Sequence, residues 1–185
     1  MRAGSCVPAD GVPADGVPAD GVIVRRVEPG DWPALRALRL EALADTPIAY
    51  LETLDAALAL DDAAWRARAA RGSLEGDACQ VLAWAGEVPV GTAVGFLDAE
   101  RPGTAVLAAV YVAPAGRGTG LLDRLLEPVT GWANERGCRV LRLWVHEDNG
   151  RARRAYTARG FAETGQSMAY PLDPTQRERA MERAL

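Results

Sequence analysis

Val110-Tyr111-Val112-Ala113-Pro114-Ala115-Gly116-Arg117-Gly118-Thr119-Gly120, running into Leu121-Leu122-Asp123-Arg124-Leu125-Leu126, is the stretch on which the fold turns. The apolar run from Val106 to Val112, broken only by Tyr111, is rich in Val and predicts a buried strand that Pro114 stops. Beyond the glycines the period changes, and Leu121, Leu122, Leu125, Leu126 and Val129 recur at helical spacing. The order is therefore strand, glycine-rich turn, helix. Glycines let a backbone approach a ligand closely, and the first N–H groups of a helix have no partners inside it. With the helix dipole, those groups make an anion site suited to a pyrophosphate.

The glycine spacing narrows the ligand. A dinucleotide fingerprint needs glycine at its first, third and sixth positions, and counted from Gly116 the sixth is Leu121. A Walker loop ends in Gly-Lys-Ser/Thr, and the chain has no lysine. The ordinary nicotinamide and nucleoside-triphosphate readings fall away. A plain strand-to-helix turn stays open on spacing alone.

Residues 112–120 resemble the acyl-coenzyme-A-binding loop of the GNAT superfamily of N-acetyltransferases, which reads Arg or Gln, two residues, Gly, any residue, Gly or Ala. Arg117, Gly118, Thr119 and Gly120 fit, while Ala115 stands where the family has Arg or Gln. Downstream, Asn149-Gly150-Arg151-Ala152-Arg153-Arg154-Ala155-Tyr156 and then Gly160-Phe161 are similar to a second family arrangement of Asn, Ala, Tyr and Gly-Phe. Two signatures in the right order, about thirty residues apart, are more specific than either alone. The resemblance covers roughly residues 22 to 170.

Around this centre the chain reads as follows. Residues 7–21 repeat Val-Pro-Ala-Asp-Gly three times, which predicts a disordered leader over residues 1–21. Residues 22–172 form the predicted domain. A strand at Val22–Val27 is followed by a helix capped by Asp31, with Pro33 in its first turn, running to about Ala44. Helical pieces are predicted over Ile48–Leu58 and from Asp61 or Asp62 to Ala70, then a loop over Gly72–Gly76. Strands follow at Ala78–Ala85 and Pro89–Leu97, joined by a Gly86-Glu87 turn, and at Thr104–Val112. The ligand helix ends at Gly137, Val140–Val145 is a strand, Asn149 caps the next helix, Gly160 stops it, and Phe161–Tyr170 is the last strand. Residues 173–185 are expected to be a polar, weakly helical tail.

That order implies an α/β fold, a mixed sheet with helices on both faces. The resemblance adds a mostly antiparallel GNAT-like sheet in which the strand before the glycine loop and Val140–Val145 run parallel and splay apart.

The resemblance also implies a chemistry, transfer of the acetyl group of acetyl-CoA to a primary amine of a small molecule or peptide by direct attack. Val110 would polarise the thioester carbonyl, with Tyr111 and Val112 pairing with the pantetheine arm. The amides of Arg117, Gly118, Thr119, Gly120 and Leu121 would hold the pyrophosphate, the Arg117 side chain adding a charge-assisted contact. Asn149 would hydrogen-bond the coenzyme, or act as a plain helix cap. Tyr156 would be the general acid, since a phenol of pKa near 10 can protonate a thiolate of pKa near 8.5; its bland alternative is packing on its helix. Arg153 or Arg154 could reach a 3′-phosphate. The general base has no clear candidate. Gly103-Thr104-Ala105 lacks the glutamate of some relatives, and His146, the only histidine, either serves near the cleft or is a surface residue beside Glu147 and Asp148. Tyr50 and Glu52 are candidates for the acceptor wall.

Composition bounds the rest. The chain has 185 residues, 49% hydrophobic and 25% charged, with net charge −4, which disfavours nucleic acid. All 21 basic residues are Arg, so no lysine serves as nucleophile. No apolar run reaches the roughly 18 residues of a membrane span, and no signal-peptide core opens the chain. Three scattered cysteines suit a cytoplasmic setting and offer no metal pair. An end strand of the sheet could pair two copies into a homodimer. The alternative function is a catalytically weak or inactive coenzyme-sensing or interaction module on the same fold, to which Ala115 points.

Overall fold

The computed structural model describes residues 21–73 and 77–185. Of the expected leader only Gly21 lies within them, and residues 74–76 of the expected loop lie outside. The strands are β1 (Val22–Arg26), β2 (Ala78–Ala85), β3 (Val88–Leu97), β4 (Thr104–Val112), β5 (Val140–His146), β6 (Ala162–Tyr170) and β7 (Asp173–Ala184). The helices are α1 (Trp32–Asp45), α2 (Leu54–Leu58), α3 (Asp62–Gly72), α4 (Leu121–Glu135) and α5 (Gly150–Thr157). One seven-stranded sheet has the order β1-β2-β3-β4-β5-β7-β6. Every neighbouring pair is antiparallel except β4 and β5, which are parallel.

Helices cover both faces. On one, α4 lies so close to the sheet that a Cβ at Gly95 would meet Val129 at 2.6 Å and one at Gly91 would meet Leu125 at 3.0 Å. Its buried stripe is Leu125, Leu126, Val129, Trp132 and Ala133, as the leucine spacing predicts. On the other face α1 and α3 bury Leu35, Leu38, Leu43, Trp65 and Ala69. Each large apolar side chain enclosed this way contributes about 1.5–3 kcal/mol. Asp61 caps α3 by accepting the Ala64 N–H at 2.8 Å. α4 ends where Gly137 takes φ +75° and the Cys138 N–H reaches back to the Ala133 carbonyl at 3.0 Å.

Three expectations are corrected. Asp31 stands at the start of α1, but its carboxylate accepts from the Glu28 N–H (2.8 Å) and from Arg25 (2.7 and 2.8 Å) rather than from helix amides. Residues 48–58 are not one helix: Pro47–Ala49 is a single 3-10 turn, Tyr50 is extended, and α2 starts only at Leu54 behind its cap Thr53. The expected helical tail is the twelve-residue strand β7, inserted between β5 and β6. Its Glu, Arg, Ala and Met are good helix formers. Pairing along both edges overrides that preference, with Ala180 and Met181 buried and Glu182 bonded to Arg142 at 2.7 Å.

Candidate functional site

The parallel pair is zipped only at its start, where Thr104, Ala105 and Val106 face Val140, Leu141 and Arg142. Beyond, Leu107–Val112 and Leu143–His146 diverge and both line a cleft of about 510 Å³. On its other side β4 is also broken. The ladder to β3 runs from Ala108 to Tyr111, skipping Ala109 and Val110, and Ala109 has φ +48°. This bulge leaves Ala109 and Val110 outside both ladders, so their peptide groups are open to other partners. The sequence gives no sign of it, because Ala108-Ala109 carries no glycine to mark a positive φ.

Val110 and Val112 turn their carbonyls to the open side. Tyr50 donates its hydroxyl to the first at 3.2 Å, and Arg117 Nε donates to the second at 3.0 Å. The Tyr111 carbonyl lies instead on the β3 side, against Gly91, and its ring reaches α1, where the hydroxyl donates to Glu41 at 3.0 Å. Val110, expected at the thioester carbonyl, and Val112, expected along the pantetheine arm, thus present backbone to the cleft, whereas Tyr111, also expected along the arm, turns its carbonyl to β3.

At the cleft's end, Pro114–Gly116 makes a 3-10 turn, and Gly118 and Gly120 take φ +79° and +83°, which L side chains resist. The Gly116 and Arg117 N–H groups are used within the turn, on Ala113 and Pro114. Among the described residues, no backbone acceptor serves the amides of Gly118, Thr119, Gly120, Leu121 or Leu122. The Thr119 hydroxyl braces the loop by donating to the Gly116 carbonyl at 2.8 Å. A row of free amides at the start of a fifteen-residue helix suits a pyrophosphate. The Arg117 side chain is spent elsewhere: its guanidinium pairs with Asp45 at the end of α1. Arg151 also approaches Asp45 (3.9 Å) and donates to Thr46 at 3.2 Å. Burial opposes ionisation of Asp45, but hydrogen bonds from Thr46 and Arg117 hold its carboxyl below the usual range.

β5 and α5 supply the far wall. Asn149 is buried and accepts the Ala152 N–H at 3.1 Å, so the cap reading holds, and its amide also lines the cleft. Tyr156 lines the cleft, its ring tilted against that of Phe161 with centroids 5.6 Å apart. Burial, and secondarily the nearby Tyr50, push its phenol well above the ordinary value. Burial raises Tyr50 likewise, to about 12. Arg153 is engaged by Glu163 at 2.5 Å.

His146 is no surface residue, being 1% exposed with its ring edge-on to Tyr170 at 4.9 Å. Its Nδ1 accepts the Asp148 N–H at 3.2 Å, so the neutral ring carries its proton on Nε2, which has no partner among the described residues. Glu178 stands opposite it in register on β7, buried, with Oε2 unpaired, and burial raises its carboxyl. The expectation of a tail hid this residue.

Glu52 lies outside this cleft. With Tyr50 and Tyr111 it lines a second cavity of about 1100 Å³ on the α1–α3 face. Burial opposes its ionisation, yet bonds from Arg68 (2.6 Å) and Arg39 (3.0 Å) hold its carboxyl below the usual range. Both arginines come from other helices, so no local pattern announces them. Tyr50, Ala108, Ala109 and Tyr111 line both spaces. Among the described residues no cluster of His, Cys, Asp and Glu could hold a metal, and no helix is long and apolar enough to cross a membrane.

Comparison with known proteins agrees with this architecture. The profile described as the acetyltransferase (GNAT) family matches residues 36–161. The chain belongs to the GNAT acetyltransferase family. No curated protein matches it. Among solved structures, it is similar to a GNAT-family acetyltransferase from Streptococcus pneumoniae, at 21% identity and TM-score 0.75, covering 89% of this chain and 99% of that one. It is similar to ribosomal-protein-alanine N-acetyltransferase from Brucella melitensis, at 23% identity and TM-score 0.70, covering 88% and 99%. A third is yncA from Salmonella typhimurium, solved with its cofactor acetyl-CoA, at 21% identity and TM-score 0.64, covering 89% and 94%. At these identities the likeness is one of fold.

Proposed function

We propose that this protein is an acetyl-CoA-dependent N-acetyltransferase acting on a primary amine, with Tyr156 as general acid. The observation that carries the reading is the cleft itself, which runs from five amides without a partner among the described residues to Tyr50, Tyr156 and the β4 bulge. Gly118–Leu122 hold the pyrophosphate. The open edges at Val110 and Val112 take the pantetheine, and the Val110 amide polarises the thioester carbonyl. Ala115 contributes no side-chain anchor, so phosphate binding rests on backbone.

The acceptor enters from the Tyr50 side. Its neutral nitrogen attacks the carbonyl carbon, the C–N bond forms, and the C–S bond breaks. Tyr156 gives its proton to the departing sulfur, and the proton lost by the amine passes to water. The phenol is protonated at neutral pH, as a general acid must be, and water returns a proton to its phenolate after each turnover. We place the enzyme in the cytoplasm, where the buried thiols Cys79 and Cys138 stay reduced.

The test is Tyr156→Phe, followed by free-thiol release with an amine acceptor and by acetyl-CoA titration. Turnover should fall on the order of a hundredfold with coenzyme affinity kept. Unchanged turnover with intact binding would remove Tyr156 from the chemistry.

A further inference from the structure

The second cavity, behind β4, holds a cluster of three charged side chains whose signs do not cancel. Arg39, Glu52 and Arg68 form a triad with side-chain exposures of 18%, 17% and 35%. Two guanidiniums meet one carboxylate, which leaves one net positive charge in a half-buried place. The Glu52 oxygens are filled: Oε1 accepts from Arg68 at 2.6 Å, and Oε2 accepts from Arg39 Nε at 3.0 Å and from Arg68 at 3.1 Å. Arg39 spends only Nε there. Among the described residues its two terminal amino groups have no hydrogen-bond partner, and its guanidinium lies over the Tyr50 ring at 4.3 Å. Trp65 lines the same cavity, fully buried, and among the described residues its indole N–H has no acceptor. The interior therefore offers the free amino groups of Arg39 and a positive charge, and Glu52 is saturated; Arg71 and Asp77, also on the wall, are exposed and cancel in charge. Such a wall repels a polycation and suits an anion held in the planar fork of a guanidinium.

The mouth has a different character. Leu51, Phe96, Leu97 and Leu172, all on the cavity wall, are 53%, 41%, 44% and 46% exposed. Four exposed apolar side chains around one opening suit a bulky apolar group. Tyr50 joins the two ends of the problem. Its ring lies under Arg39 and its hydroxyl is on the Val110 carbonyl, beside the bulge where the two spaces meet.

We infer that the acceptor carries a carboxylate a few bonds from its amine, as a free amino acid with a bulky apolar side chain does, and that Arg39 reads that carboxylate. This rests on the acyltransferase reading of the site. The carboxylate closes the Arg39–Glu52–Arg68 triad, the amine lies past Tyr50 toward Val110, and the apolar side chain lies toward Phe96 and Leu172.

The experiment uses the full chain and two readouts. The first is thiol release from acetyl-CoA with L-phenylalanine, its amide, phenethylamine or a short peptide with an apolar N-terminal residue, compared at equal concentration of neutral amine. The second, independent of turnover, is calorimetric binding of N-acetyl-L-phenylalanine and of its amide in the presence of coenzyme A. Both are repeated on Arg39→Gln, whose acetyl-CoA affinity reports that it is folded. The carboxylate-bearing ligand should be favoured about ten- to hundredfold in kcat/KM and in binding. Arg39→Gln should erase that preference through KM, so that the amino acid and its amide are turned over alike. Turnover of the amide, phenethylamine or the peptide as fast as the amino acid would overturn the inference and leave the enzyme reading intact, as would a carboxylate preference that survives Arg39→Gln. Carboxylate binding that depends on Arg39, without turnover of any amine, would sink the enzyme reading and, with it, the inference that the carboxylate belongs to an acceptor.

Discussion

Nδ1 of His146 is occupied by the Asp148 N–H, and that one bond decides what the ring can do. The nitrogen left over carries a proton, so neutral His146 donates where a general base must accept. His146→Gln, which can keep an N–H in nearly the same place, should therefore lower turnover by less than about tenfold, against the hundredfold or more that loss of a general base costs. A pH–rate profile of wild type and variant checks this, and a larger loss with a vanished acidic limb would make His146 the base after all. Residue by residue, the site was legible where function leaves a local mark. Gly118 and Gly120 adopt the left-handed conformations that their glycines allow, and Asn149 caps α5. It was illegible where partners come from afar. Nothing near Glu52 in sequence announces Arg39 and Arg68, and nothing near His146 announces Tyr170 or Glu178.

β4 is the element on which the proposed chemistry depends, because it leaves β3 at its bulge and β5 beyond Val106. At Ala109, φ +48° costs any L residue about 1–2 kcal/mol, more if β-branched. Ala109→Gly should leave stability equal or better by up to about 1 kcal/mol, whereas Ala109→Val should cost about 1–2 kcal/mol and straighten the strand. Urea unfolding checks the first effect, and acetyl-CoA affinity, expected to fall in the Val variant alone, checks the second. If Val were tolerated in both readouts, the bulge would not be what opens the strand. The strands and helices with clean periods, β4 and α4 above all, were readable from the sequence. β7 was not, because its alternation of Glu178 and Ala180 with Arg179 and Met181 uses residues that also favour helix, and only pairing with β5 and β6 decides between them. The Ile48–Leu58 helix failed for a related reason. Its apolar residues turn about Tyr50, which the structure needs extended so that Tyr170 can donate its hydroxyl to the Tyr50 carbonyl at 2.7 Å.

For the molecule as a whole, one sheet serves two spaces. The α4–α5 side bounds a cleft ending in amides without a partner among the described residues, the α1–α3 side bounds a cavity with a charge cluster whose signs do not cancel, and the two meet at Tyr50 and the β4 bulge. Mixed α/β architecture and helices on both faces follow from the order of elements, whereas the parting of β4 and β5 depends on three paired residues and then none, which no periodicity encodes. The account stands or falls on the coenzyme. Its most direct test is calorimetric titration of the full chain with acetyl-CoA, beside Gly118→Val, a position where φ is +79° and no atom lies within 4 Å of an added Cβ. Because that substitution meets no neighbour, it strains the loop without disturbing the core. Saturable one-site binding that Gly118→Val abolishes is the predicted result. No binding at about 1 mM coenzyme, or binding that Gly118→Val leaves unchanged, would contradict it.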